Sequence, residues 1–203
     1  MGYYIRILGT QDPDIRLNEL LDNLKADALS AKLAFAEGDT PDKWTLLEVA
    51  NDNGDALAQI ERNPVVFGEL GQDKLDEYRE EVEDCQPASA AKWLTNFFDS
   101  VKVIYAFQML NPAFEGNNYD IVNSIRTKIW SKTGGIMQAD GEGFSNEEGY
   151  HILWQFSETV IGDWNCAVLN ASGGWDIFTM NLGDITQRRE FQKGKVPKKA
   201  NRL

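Results

Sequence analysis

The chain begins with Tyr3–Leu8, a β-branched and aromatic run that reads as a strand and is broken by Gly9-Thr10-Gln11-Asp12-Pro13. Ile15, Leu17, Leu20, Leu21 and Leu24 then recur close to a 3.6-residue period, the apolar face of a helix for which Asp12 or Asp14 is the expected cap. Residues 31–36 and 44–50 predict two strands joined by the polar turn 37–42, and residues 55–62 predict a short helix that stops before Pro64. The helix predicted over 72–84 has a narrow apolar stripe (Leu75, Tyr78, Val82) and seven acids against two bases, so one side should face water. Pro87 suits the first position of another helix, with Trp93, Leu94, Phe97, Phe98 and Val101 turned inward.

Residues 102–110 are apolar on both faces, as a central strand requires. A helix over 117–132 (Ile121, Val122, Ile125, Ile129 and Trp130 inward) should end at Gly134-Gly135. Strands at 136–139 and 150–156 flank an acidic, glycine-rich connection, and 164–169 with 175–182 predict a hairpin about 171–174. Asp184-Ile185-Thr186-Gln187 opens a last short helix as a capping box, and Gly194 stops it. Residues 195–203 form a basic tail expected to be flexible.

These elements predict an α+β fold of mostly antiparallel sheet with helices on one face, in one compact unit over residues 1–203. The order strand, helix, strand, acidic turn, strand occurs at 3–50 and again at 103–156. Ile15 and Ile121, and Leu46-Leu47 and Ile152-Leu153, are each 106 positions apart. The pattern is that of two βαββ halves joined by a helical segment, although βαββ also recurs without duplication.

Composition narrows the class. With 203 residues, 42% of them apolar, the chain can bury a substantial core. It has no apolar run of about 18 residues and no basic segment followed by an apolar one at its start, so neither a membrane partner nor a secretory route is expected. Two cysteines, Cys85 and Cys166, are too few for a disulfide framework, which points to the cytoplasm.

Charge is divided unevenly. Residues 188–203 hold seven Lys or Arg and one Glu, leaving 13 bases against 31 acids in the other 187 residues. Such a body repels nucleic acid and attracts basic proteins. The tail bases Lys193, Lys195, Lys198, Lys199 and Arg202 are outweighed by it, so nucleic acid is not expected as a partner.

Several chemistries lack their residues. There is no phosphate-binding GxxxxGK[ST], and Gly141-Glu142-Gly143-Phe144-Ser145-Asn146 lacks the third glycine of a dinucleotide fingerprint; there is also no GxSxG elbow. One histidine, His151, and two cysteines do not make a zinc site, and no metal or cofactor is assigned. Cys166 and His151, on neighbouring strands, could form a nucleophile–base pair, but buried structural roles suit both better.

The strongest candidate is the stretch 138–148. Asp140 and Glu142, on a backbone that glycines let bend, can hold a hard cation or act as an acid/base pair, although the spacing fails the EF-hand pattern. A hairpin loop of solvated charges is the ordinary alternative. Phe144, Glu147 and Glu148, with Tyr150 and Trp154 just beyond, would make an acid-rimmed aromatic surface suited to a protein partner.

Three functional readings follow. The first is a non-enzymatic, acidic protein-binding or inhibitory module, working by the electrostatic logic with which bacterial immunity proteins neutralise basic nuclease-type toxins. The second is a small carboxylate-dependent or divalent-metal enzyme centred on 138–148. The third is a homodimeric structural subunit that buries its aromatic face. Charge and the missing catalytic set favour the first.

Overall fold

Val103–Met109 carries apolar side chains on both faces, and antiparallel neighbours occupy both of its edges. The computed structural model describes residues 2–203, an α+β fold of five α-helices and ten strands in mostly antiparallel sheets. In chain order these are β1 Tyr3–Gly9, α1 Leu17–Ala26, β2 Lys32–Phe35, β3 Leu46–Ala50, β4 Ala56–Pro64, α2 Leu70–Val82 and α3 Ala88–Phe97. Then come β5 Val103–Met109, α4 Asn118–Thr133, β6 Ile136–Ala139, β7 Gly143–Ser145, β8 Asp163–Leu169, β9 Trp175–Asn181, α5 Ile185–Gln192 and β10 Asn201–Arg202. Two compact units emerge: residues up to 72 with 101–135, and 73–100 with 136–203. Among the described residues, no helix is long and apolar enough to cross a membrane.

In the first unit the strands run β2-β3-β4-β5-β1, each pair antiparallel. The register places Ile5, Phe107, Ile60 and Leu47 side by side on one face, all buried, and α1 and α4 pack together over the sheet. Arg6, Gln108, Gln59, Glu61 and Glu48 alternate onto the opposite face, where Gln59 donates to Glu48 at 3.3 Å.

The expected helix at 55–62 is instead β4. The Asn51 side chain donates to the Asp55 carboxylate and accepts from the Asp55 amide, both at 2.9 Å, closing a tight turn that returns the chain alongside β3. Pairing on both edges, with β3 and β5, then outweighs the local helical preference of Ala56-Leu57-Ala58-Gln59. The cap of α1 also differs. It is Arg16 rather than Asp12 or Asp14, and Asp12 instead holds the Arg62 guanidinium at 2.8 Å.

In the second unit β6 and β7 form one hairpin, β8 and β9 another, and β10 pairs with β9. Phe156, Cys166, Phe178, Met180, Leu182 and Phe191 form its core. Residues 150–156 are not a continuous strand. His151 makes single bridges to Ser145 and Cys166, and Trp154 one to Gln86, because the strand that pairs with β6 is residues 143–145. The structure places the tail at 195–203 against the second unit. Val196 and Ala200 pack on the core, Pro197 is buried, the Lys198 amide donates to Glu190 at 2.8 Å, and β10 adds to the sheet. Apolar residues spaced among the lysines account for this docking. Of the two βαββ segments, 3–50 lies wholly in the first unit, whereas 103–156 crosses from the first into the second after Gly135.

Gly134 ends α4 with φ +61°, and Gly135 follows at φ +85° with its backbone pressed against the Leu8 carbonyl. A side chain there meets both a strained backbone and an immovable neighbour. Gly135→Ala should therefore cost about 3 kcal/mol or more, against about 1 kcal/mol for Gly54→Ala, which shares the positive φ but faces open space. Urea unfolding of the two variants checks this.

Candidate functional site

The stretch 138–148 folds as two tight turns around β7 rather than one loop. Ala139 pairs with Gly143, so Asp140-Gly141-Glu142 form the first turn, closed by the Glu142 amide on the Ala139 carbonyl at 3.1 Å. The second turn is built on buried Asn146, whose side-chain oxygen accepts from the amides of Glu148 at 3.1 Å and Tyr150 at 2.9 Å. Glu147 and Glu148 are exposed on it, and Asp140, Glu142 and Tyr150 are half-buried.

Phe144 does not belong to this surface. It is fully buried, with its ring 5.3 Å from Tyr78 and 5.8 Å from Phe98. Trp154 is also turned away from the acids. Its amide bonds the Gln86 carbonyl at 2.7 Å, and its ring lies 5.3 Å from Phe156 and 5.0 Å from the Arg188 guanidinium.

The 138–148 stretch packs against α2, a contact that no spacing along the chain reveals. That helix buries Leu75, Tyr78 and Val82, the three residues of its apolar stripe. The Tyr78 hydroxyl donates to Gln138 of β6 at 3.0 Å, while its ring packs on Phe144 of β7. At the C-terminal end of α2, Gln155 donates to Glu81 at 3.1 Å and lies against the backbone of Gly143, so the Asp140–Glu142 turn adjoins the helix.

Asp73, Asp76, Glu77, Glu80, Glu81, Glu83 and Asp84 are all exposed. Both bases of the helix are engaged locally: Lys74 with Glu77 at 2.6 Å, and Arg79 with Asp99 at 2.8 Å and Asp76 at 3.7 Å. The result is one strongly negative face. Cys85 sits beside it, and burial together with the Glu81 charge pushes its thiol pKa up, away from the reactive thiolate. The signal available in the sequence was the helix's seven acids; its contact with β6 and β7 was not visible there.

The His151–Cys166 pair adjoins through the backbone, with the Ala167 amide on the His151 carbonyl at 2.8 Å. Its side chains are poorly suited to catalysis. Burial lowers the imidazole pKa to about 4 and raises that of the Cys166 thiol to about 12, so the thiolate is strongly disfavoured. The His151 ring instead packs 4.5 Å from Phe156 and 5.8 Å from Trp164. Among the described residues, no three His, Cys, Asp or Glu side chains gather where they could hold a metal ion, so Asp140 and Glu142 lack a third ligand of that kind.

Compared with known protein families, characterised proteins and solved structures, the chain matches none.

The buried imidazole makes stability depend on pH. In the folded state His151 stays neutral down to about pH 4, whereas unfolded it takes up its proton near pH 6.5. Its contribution is therefore complete above about pH 6.5 and declines as pH falls toward 4, by roughly 3 kcal/mol in all. Denaturant midpoints measured across this window should lose that slope in His151→Leu.

Proposed function

We propose that this chain is a non-enzymatic, cytoplasmic binding module that captures and inhibits a basic protein on the acidic face of α2. The observation that carries the reading is the row of seven exposed carboxylates whose two neighbouring bases are already engaged within the chain. An excess of seven acids over two bases steers an oppositely charged partner and repels phosphate backbones, so the same face disfavours nucleic acid. Free Cys85 and Cys166 agree with a reducing compartment. A carboxylate enzyme centred on Asp140 and Glu142 is the weaker reading, because among the described residues no three His, Cys, Asp or Glu side chains gather where they could hold a metal ion.

The test compares the wild type with Glu80→Lys/Glu83→Lys/Asp84→Lys. These exposed changes reverse the face without touching its packing. A basic protein retained by the wild type at low salt is then titrated against both forms. The triple variant should bind it at least ~100-fold more weakly, and raising salt from about 50 to about 500 mM should weaken the wild-type complex by a similar factor. Equal binding by the two forms, or no basic protein retained at all, would sink the reading.

A further inference from the structure

Two apolar surface features lie outside the row of carboxylates. The first is a hook at the end of β4. The Val65 amide bonds the Lys102 carbonyl at 2.8 Å and the Glu69 amide bonds the Val66 carbonyl at 3.0 Å, forming a turn that projects Val66, Phe67 and Leu70 into solvent. Phe67 is 96% exposed. A large apolar side chain held out on a hydrogen-bonded turn has the form of an interface anchor.

The second is a cleft of about 500 Å³ in the second unit, between residues 158–161 and the first turns of α5. Ile161 and Ile185 flank it and are 77% and 60% exposed. Buried Arg188 contributes to its lining and holds the 158–161 segment. Its guanidinium donates to the carbonyls of Leu182 at 2.7 Å, Glu158 at 2.9 Å and Val160 at 3.1 Å, and to the Glu158 carboxylate at 3.1 Å. With its donors so engaged, Arg188 is better suited to shaping the cleft than to recruiting a polar ligand. The cleft offers a visitor two isoleucines set among polar side chains, with Thr159, Gln192, Arg189 and the exposed Glu158 carboxylate in the lining.

We infer that Phe67 of one copy of this chain inserts into the Ile161–Ile185 cleft of a second copy. The apolar parts match in kind, and the volume accommodates a phenyl ring with its flanking side chains. The charges are complementary. Glu69 lies within the hook and acidic α2 continues from it; at the cleft the Glu158 carboxylate is paired with Arg188, which leaves Arg189 as the excess charge, in a segment, 188–203, with seven bases and one acid. Hook and cleft are different surfaces, so the association is head-to-tail: each copy can fill one neighbour's cleft while offering its own.

Sedimentation velocity tests this with two exposed substitutions, Phe67→Asp and Ile161→Asp; circular dichroism melts verify that both variants stay folded. The wild type should sediment faster as its concentration rises from about 10 µM to about 1 mM, and less so in high salt. Each variant alone should remain a single chain throughout. Mixed one to one, they should form dimers and nothing larger, because only one intact hook and one intact cleft remain per pair. A wild type that stays monomeric, a variant that still associates, or a mixture that stays monomeric would each overturn the inference. The last outcome would mean that hook and cleft take a different occupant.

Discussion

Tyr78 determines which way the acidic helix faces. Its hydroxyl is held by Gln138, and its ring forms a triangle with Phe98 and Phe144, both fully buried. A helix with five acids in thirteen residues, and two more just beyond its end, cannot present them all to water unless its few apolar positions are anchored firmly on the other side. Leu75 and Val82 extend the anchor one turn each way. The binding face is thus a by-product of packing: the aromatic contact fixes the helix's rotation, and the carboxylates are left outside because nothing in the interior would compensate them.

The same logic separates what could be read in the chain from what could not. Period and caps identified the long helices and the β8–β9 hairpin, since these elements are settled by residues three to ten positions apart. Asp184 caps α5 as its sequence implies, accepting from Thr186 and Gln187 amides at 2.8 and 3.2 Å. The 55–62 segment was misread because its fate depends on partners on either side, β3 and β5, rather than on its own alanines. The position of the basic tail is likewise hidden in its composition. Its lysines dominate the count, but Val196, Pro197 and Ala200 decide where it lies.

The candidate site was legible only in part. Asp140 and Glu142 could be marked as acids on a bend, and α2 as an acidic helix, but no spacing rule links residues 73–84 with 140–142. Gln155, which touches both Glu81 and the Gly143 backbone, had no distinguishing mark at all. Phe144 and Trp154 were grouped with the acids because strand alternation cannot tell a covered face from an open one. Once the structure puts Phe144 beneath Tyr78, the aromatic and acidic features separate into an interior and a surface.

The grip of Arg188 has a further consequence, for motion. One side chain ties carbonyls at 158, 160 and 182, so residues 158–160 cannot lift away from α5 one hydrogen bond at a time. Opening the segment would strip a buried cation of its acceptors all at once. The segment and the helix should therefore exchange their amide hydrogens as one cooperative block, making this corner far stiffer than its lack of regular secondary structure suggests.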